Sequence, residues 1–195
     1  MSATLPPVVK HVVVNAEPAR AFARFTAEIG TWWPLGSHSV FEGEADTVVF
    51  EGREGGHILE RSRDGRTCVW GTVRTWDPPR RVAFTWHPGH DAAKAQDVEV
   101  TFTAQGERTR VQLTHVGFER LGEREGRIAS RAYPLGWVYV LGIYAGRRGL
   151  VMTLLHGLTN MLMALRAWKQ KRAGAAERVT APASPRAGSP LPPRR

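Results

Sequence analysis

The chain has 195 residues, 42% of them hydrophobic and 23% charged, with a single cysteine, Cys68. This length allows one globular domain with a buried core and an extension. One cysteine excludes an internal disulfide and a zinc site built from several thiolates, and it suits a reducing compartment. The first residues lack a basic leader followed by a long apolar run, so we expect a cytoplasmic protein.

The net charge of +9 is concentrated near the C-terminus. Residues 166–195 carry eight basic side chains and one acid, which leaves only +2 on residues 1–165. A nearly neutral domain is not typical of nucleic-acid binding, which requires a basic surface. We therefore expect no specific nucleic-acid partner. Five prolines among Ala, Ser, Gly and Arg predict that residues 173–195 form a disordered tail.

A strand and a helix are the first predicted elements. Residues 8–14, VVKHVVV, are mostly β-branched and predict a strand. Asn15 is a candidate helix N-cap, and Pro18 falls in the first turn. One apolar stripe at helical spacing follows, formed by Phe22, Phe25 and Ile29.

Two adjacent tryptophans come next, in the stretch EIGTWWPLGSHSV. Gly30 and Pro34 end the helical pattern, so Trp32 and Trp33 should lie in a loop just past the helix. These rings either close an open end of the domain, as buried core, or form the mouth of a cavity in which His38 contacts a ligand. We expect at least one of the two rings to be part of the core.

Six further strands are predicted in pairs divided by turn residues, at residues 47–51, 57–61, 67–76, 81–87, 98–104 and 108–115. In the last three strands alternate residues share one apolar face, which predicts an antiparallel sheet that needs a cover. The residues on this face are Val82, Phe84, Trp86, Val98, Val100, Phe102, Val111, Leu113 and His115.

Residues 123–147 predict the long helix that covers this face. Its apolar residues at helical spacing are Ile128, Leu135, Tyr139 and Ile143, with Trp137 and Leu141 beside them. Pro134 either kinks this helix or marks the end of a shorter preceding one. The order strand, helix, six strands, long helix predicts an α+β fold in which a curved antiparallel sheet grips a long C-terminal helix.

Four segments carry a family resemblance: VVVNAEPARAFARFT followed by WWP, then GTVRTWDPPRRVAFTW, EVTFTAQGERTRVQLTHVGF and YPLGW. Together they resemble the activator of heat-shock protein 90 ATPase homologue family, a member of the START-like or SRPBCC helix-grip superfamily. The resemblance covers roughly residues 8–147. It implies a helix-grip fold with a cavity between the sheet and the last helix, where many relatives hold apolar small molecules. It implies little about chaperones, because single-domain members lack the additional domain that engages the chaperone.

The candidate site residues lie on the elements that the resemblance places around this cavity. His115 is in phase with the apolar face, where it either makes a core hydrogen bond or meets a ligand. A loop with His87, His90 and Asp91 has no further fixed ligand, so we assign no metal and expect no cofactor. The candidates for ligand binding are Trp33, His38, Trp86, Phe102, His115, Tyr133, Trp137 and Leu141.

Three functions remain open. A noncatalytic domain that binds a hydrophobic or aromatic small molecule is favoured, because the sequence supplies many aromatic residues but no clear nucleophile or paired carboxylates. The second is an enzyme of the cyclase or dehydratase kind, with His115 or Tyr133 exchanging a proton. The third is a protein-partner role in stress response or chaperone regulation, which depends on the family name alone.

The segment after residue 147 departs from the family pattern. Residues 149–165, GLVMTLLHGLTNMLMAL, contain no charged side chain and predict an apolar helix within residues 148–172. Such a helix requires a cover: its own domain, a second copy in a homodimer, or the surface of a membrane. The polar His156 and Asn160 argue against deep insertion, so we rank protein packing ahead of peripheral membrane contact. The predicted organisation is thus a tail at 1–7, a helix-grip domain at 8–147, this helix and the disordered tail.

Overall fold

The computed structural model describes residues 4–147. Its helices are α1 (Pro18–Phe25), α2 (Ile29–Trp32) and α3 (Glu123–Tyr144). Its strands are β1 (Val8–Val14), β2 (Ala45–Phe50), β3 (His57–Ser62), β4 (Thr67–Asp77), β5 (Arg81–Trp86), β6 (Gln96–Gln105) and β7 (Arg108–Val116). The predicted order of strand, helix, six strands and long helix is confirmed.

All seven strands pair antiparallel in one sheet, in the order β1-β7-β6-β5-β4-β3-β2. The sheet curls around α3, so the predicted helix-grip architecture is confirmed. Within residues 4–147 no helix is both long and apolar enough to cross a membrane. The helix predicted within residues 148–172 and the tail predicted at 173–195 lie outside the described residues and stay predictions.

The inner face of the sheet is formed by the residues that the alternating pattern selected. Register pairs bring them together across the central strands: Val82 opposite Val100, and Val100 opposite Leu113. Every member is buried, at 5% exposure or less: Val82, Phe84, Trp86, Val98, Val100, Phe102, Val111, Leu113 and His115. The predicted face is confirmed.

Strand β4 comes unusually close to β5 at Gly71, and this contact shapes the curl of the sheet. A Cβ atom on Gly71 would lie 1.7 Å from the Thr85 carbonyl oxygen, so no other residue fits there. The pairing of β4 with β5 shifts between Val73 and Thr75, as at a β-bulge. Bulges bend a strand and increase its local twist, which turns the end of β4 that carries Trp70 toward the interior.

Helix α3 runs through Pro134 without interruption, and its second half covers the sheet. The predicted apolar stripe is wrong in the first half, because Ile128 and Leu135 are 45% and 41% exposed. Small residues occupy the inner face there: a Cβ on Gly126 would lie 2.4 Å from the Phe118 carbonyl oxygen. The inner face of α3 is the one that carries Gly126, Tyr133 and Trp137, and Ile128 and Leu135 lie on the opposite side of the helix.

Two local predictions near the N-terminus are corrected by the structure. The N-cap of α1 is Glu17 rather than Asn15, and Pro18 is its first residue. The helix ends at Phe25, and a separate short helix, α2, includes Trp32. Trp32 therefore does not lie in a loop, whereas Trp33 directly follows the helix. The break arises because Thr26 turns out of helical geometry, with its hydroxyl donating back to the Phe22 carbonyl at 2.8 Å.

Candidate ligand-binding site

Packed rings occupy the interior between the sheet and α3, and we call this group the interior aromatic cluster. It consists of Trp33, Trp70, Trp86, His115, Phe118, Tyr133 and Trp137. Neighbouring ring centroids lie 5.8 Å apart for Trp33 and Trp86, 5.6 Å for Trp86 and Trp137, and 4.6 Å for His115 and Tyr133. Five of the eight candidate site residues are brought together here.

The register of the sheet explains this convergence. Trp86 ends β5 opposite Gln96, and His115 lies near the end of β7 opposite Val98. Both rings therefore flank the first residues of β6 on the inner face. On α3 the candidates Tyr133 and Trp137 are four residues apart, so they lie one above the other on the same side of the helix.

His115 is fully buried and is held by one hydrogen bond. The Trp137 indole Nε1–H donates to His115 Nδ1 at 3.1 Å, which assigns the proton of the neutral imidazole to Nε2. Burial lowers the pKa of His115 to about 3, so the ring is neutral at physiological pH. Its Nε2 has no hydrogen-bond partner among residues 4–147. The imidazole therefore presents an unused N–H donor to the interior.

A second unused donor lies in the same cluster. Trp86 is buried, and its indole Nε1–H has no hydrogen-bond partner in the part of the chain that the structure describes. Burial raises the pKa of the Tyr133 hydroxyl, and the nearby Trp86 indole partly opposes this rise without reaching hydrogen-bond geometry. A buried donor without a partner costs about 1–3 kcal/mol, and native proteins retain few of them. The Trp86 and His115 rings, which carry the two donors, both contact the Trp137 ring.

Three candidates lie outside the cluster. The half-buried His38 stacks on Tyr139, with centroids 5.2 Å apart, and its carbonyl accepts a 2.7 Å hydrogen bond from the Trp33 indole. Phe102 packs instead against the phenylalanines of α1. Leu141 is fully buried in the hydrophobic core. Both adjacent tryptophans are buried, so the structural interpretation holds for each of them.

Glu60 is an important residue that the sequence patterns did not single out. Its fully buried carboxylate accepts hydrogen bonds from the Val40 and Phe41 amides at 2.8 and 3.1 Å. It also accepts from the Trp70 indole at 3.1 Å and from the Ser39 hydroxyl. Four donors on one carboxylate fix the segment 39–41, which follows His38, against β3 and β4. The sequence did carry one indication that Glu60 is buried. Glu60 comes two residues after Ile58 in the strand HILERS, so the two side chains lie on the same face of the strand.

Among the clefts at the surface of residues 4–147 are two that the interior aromatic cluster does not line. The first, of about 410 Å³, lies between α1 and the ends of β2 and β4. The second, of about 440 Å³, lies between the N-terminal segment, β1 and α3, and we call it the β1–α3 cleft. The structure does not show the cavity predicted beneath α3, because the candidate rings there contact one another. This cavity therefore stays a prediction.

The loop with His87 and His90 does not gather metal ligands in the structure. His87 is buried, and its Nδ1 lies 3.2 Å from the His90 carbonyl oxygen. Within residues 4–147 no three His, Cys, Asp or Glu side chains are grouped so as to hold a metal ion.

A curved antiparallel sheet around a buried C-terminal helix, with aromatic residues between them, defines a helix-grip domain. The family described as Activator of Hsp90 ATPase homolog 1-like protein matches residues 15–137, and the chain belongs to this family. The resemblance in the sequence motifs is thereby confirmed.

CalC and MLL2253 are two solved structures that share the fold. The self-sacrificing resistance protein CalC from Micromonospora echinospora is 25% identical, with a TM-score of 0.55 over 73% of this chain and 93% of CalC. Protein MLL2253 from Mesorhizobium loti is 16% identical, with a TM-score of 0.52 over 73% of this chain and 96% of that one. The anthrahydroquino-gamma-pyrone synthase Txn09 is 31% identical, with a TM-score of 0.48 over 80% of this chain and 97% of that one. No curated protein matches the sequence significantly.

Proposed function

We propose that this domain binds a hydrophobic or aromatic small molecule that carries a hydrogen-bond acceptor, at the interior aromatic cluster between the sheet and α3. The observation that carries the proposal is the pair of buried, unpartnered donors, Trp86 Nε1 and His115 Nε2. A ligand carbonyl or phenol oxygen satisfies such donors. Ligand sites of this kind combine apolar rings with a few polar groups that fix orientation.

Binding requires the rings to separate, because their centroids are now 4.4 to 6.4 Å apart. A flat aromatic ligand that stacks between two rings recovers the ring contacts that it displaces. It also removes the cost of the two unpartnered donors, which supplies a driving force for opening. Four tryptophans belong to the cluster, so their fluorescence should report ligand entry.

The protonation state of His115 favours binding over catalysis. A general base works best when its pKa lies near the working pH, whereas burial lowers the pKa of His115 to about 3. The neutral ring can donate from Nε2 but is a weak proton acceptor. The cyclase or dehydratase hypothesis remains the alternative, and it requires conversion of the bound molecule.

Titration with flavone and 2-phenylnaphthalene tests the proposal, because both are flat aromatic molecules of similar size and only flavone carries oxygen acceptors. We expect flavone to bind the full-length protein saturably, with one site by calorimetry and a change in tryptophan fluorescence. 2-Phenylnaphthalene should bind at least about tenfold more weakly, since it has no acceptor and leaves both donors unpartnered. The absence of saturable flavone binding would contradict the proposal, and a change in the recovered flavone would favour the enzyme alternative.

A variant pair tests the location of the site. Trp86→Phe removes one donor and keeps a ring, so flavone affinity should fall by about tenfold, toward that of 2-phenylnaphthalene. The control is Trp76→Phe, because Trp76 lies outside the cluster, against Phe22 and Phe50. Circular dichroism checks that both variants fold. Equal affinity losses in the two variants would place the ligand elsewhere.

A further inference from the structure

The β1–α3 cleft is a second concave surface, separate from the interior aromatic cluster. It is open to solvent and has a volume of about 440 Å³, within the range of small-molecule sites. The N-terminal segment, the start of β1 and the first half of α3 form its walls. Its lining residues are Leu5, Pro6, Pro7, Val8, Val9, Lys10, Arg127, Ser130, Arg131 and Pro134.

The walls of this cleft are fixed by contacts at its closed end. The Leu5 amide donates to the Glu119 carboxylate at 3.4 Å, and the Leu5 side chain packs close to Gly126 of α3. Two consecutive prolines then restrict the backbone up to β1. These contacts hold the N-terminal segment against α3, so the cleft between them has a defined shape.

The charges on the cleft are all positive. Arg127 is paired with Glu123 at 2.7 Å, whereas Lys10 and Arg131 form no ion pair with any residue in 4–147. No acidic side chain lines the cleft. Arg127 and Arg131 are four residues apart on α3, a spacing at which like charges repel each other. An anion in the cleft would relieve this repulsion.

Apolar surface lies directly beside these charges. The apolar residues that line the same cleft include Leu5, Pro6, Pro7 and Pro134, and Pro6 and Pro7 are exposed. An exposed apolar wall next to two unpaired cations matches a molecule that has an apolar body and one negative end. Neither a neutral apolar molecule nor a cation would use both features.

We infer that the β1–α3 cleft binds a small amphipathic carboxylate, an organic acid with an apolar body. The carboxylate lies between Lys10 and Arg131, and the apolar body covers Leu5, Pro7 and Pro134. This site is independent of the ligand proposed for the interior aromatic cluster.

Octanoate is the probe, used below its micelle concentration with the full-length protein, and 1-octanol is its neutral counterpart. We expect octanoate to perturb the amide resonances of residues 5–10 and 127–134 in NMR spectra, and 1-octanol to bind at least fivefold more weakly. Arg131→Gln should raise the octanoate Kd about five- to tenfold, because one charge-assisted contact is lost. The matched control is Arg124→Gln, on the same helix but outside the cleft lining, and it should leave the Kd unchanged.

Three results would overturn this inference. Equal weakening by Arg131→Gln and Arg124→Gln would show a net-charge effect without a site. Equal affinity for octanoate and 1-octanol would remove the role of the carboxylate. Octanoate binding that is lost in Trp86→Phe but retained in Arg131→Gln would assign the probe to the interior aromatic cluster, whose own flavone test is unaffected by this outcome.

Discussion

Replacing Glu60 by leucine should lower the free energy of unfolding by about 3–4 kcal/mol, measured by urea unfolding at pH 7. The variant removes the acceptor of four hydrogen bonds. The Trp70 indole would remain buried without an acceptor, and the partly exposed segment 39–41 would lose its three charge-assisted hydrogen bonds. Glu60→Gln, which keeps the volume, should cost about 2 kcal/mol, since its amide offers one oxygen and turns two N–H groups toward other donors.

Glu99→Gln is the matched control for this prediction. Glu99 is also a strand glutamate, but its side chain is exposed and its 3.4 Å contact with Arg81 is a surface ion pair. Such pairs contribute about 0–1 kcal/mol, so the control should unfold almost like the parent protein. If Glu60→Leu loses less than about 1 kcal/mol, the buried carboxylate does not hold the segment 39–41 as the hydrogen bonds indicate.

The spacing of hydrophobic residues was sufficient to predict the inner face of the sheet, but it did not predict which face of α3 is buried. On β5, β6 and β7 each inward residue alternates with an outward one, so hydropathy and burial give the same answer. On α3, Ile128 and Leu135 satisfy helical spacing and yet lie outside. The inner face there is set by close approach at Gly126, a tertiary contact that no periodicity expresses.

The candidate site was predictable to the extent that it consists of aromatic residues in phase with the core. Trp86, His115 and Trp137 meet because strand register and helix phase both point them inward. Their unused donors could not be predicted, because these depend on the angle of each ring. Glu60 was missed for a related reason: its partners at residues 39–41 lie about twenty positions away in the chain, and hydropathy opposes a buried carboxylate.

The stability of the protein should fall by about 2 kcal/mol between pH 7 and pH 5 through His115 alone. Its pKa is about 3 in the folded protein and about 6.5 in the unfolded chain. Above pH 6.5 neither state holds the proton, so the folded state is not penalised. Below pH 6.5 the unfolded chain binds a proton that the folded protein excludes, and stability declines by up to about 1.4 kcal/mol per pH unit until about pH 3.

Urea unfolding at several pH values between 5 and 7 measures this slope in the parent protein and in His115→Gln. The glutamine can still accept from the Trp137 indole but does not titrate. Between pH 7 and pH 5 the variant should therefore lose about 2 kcal/mol less stability than the parent protein loses. His90→Gln is the control, because His90 is exposed and should leave the slope as it is in the parent. Parallel slopes for the parent and His115→Gln would mean that His115 is accessible to protons in the folded state, and the buried, neutral imidazole that donates to a ligand would have to be abandoned.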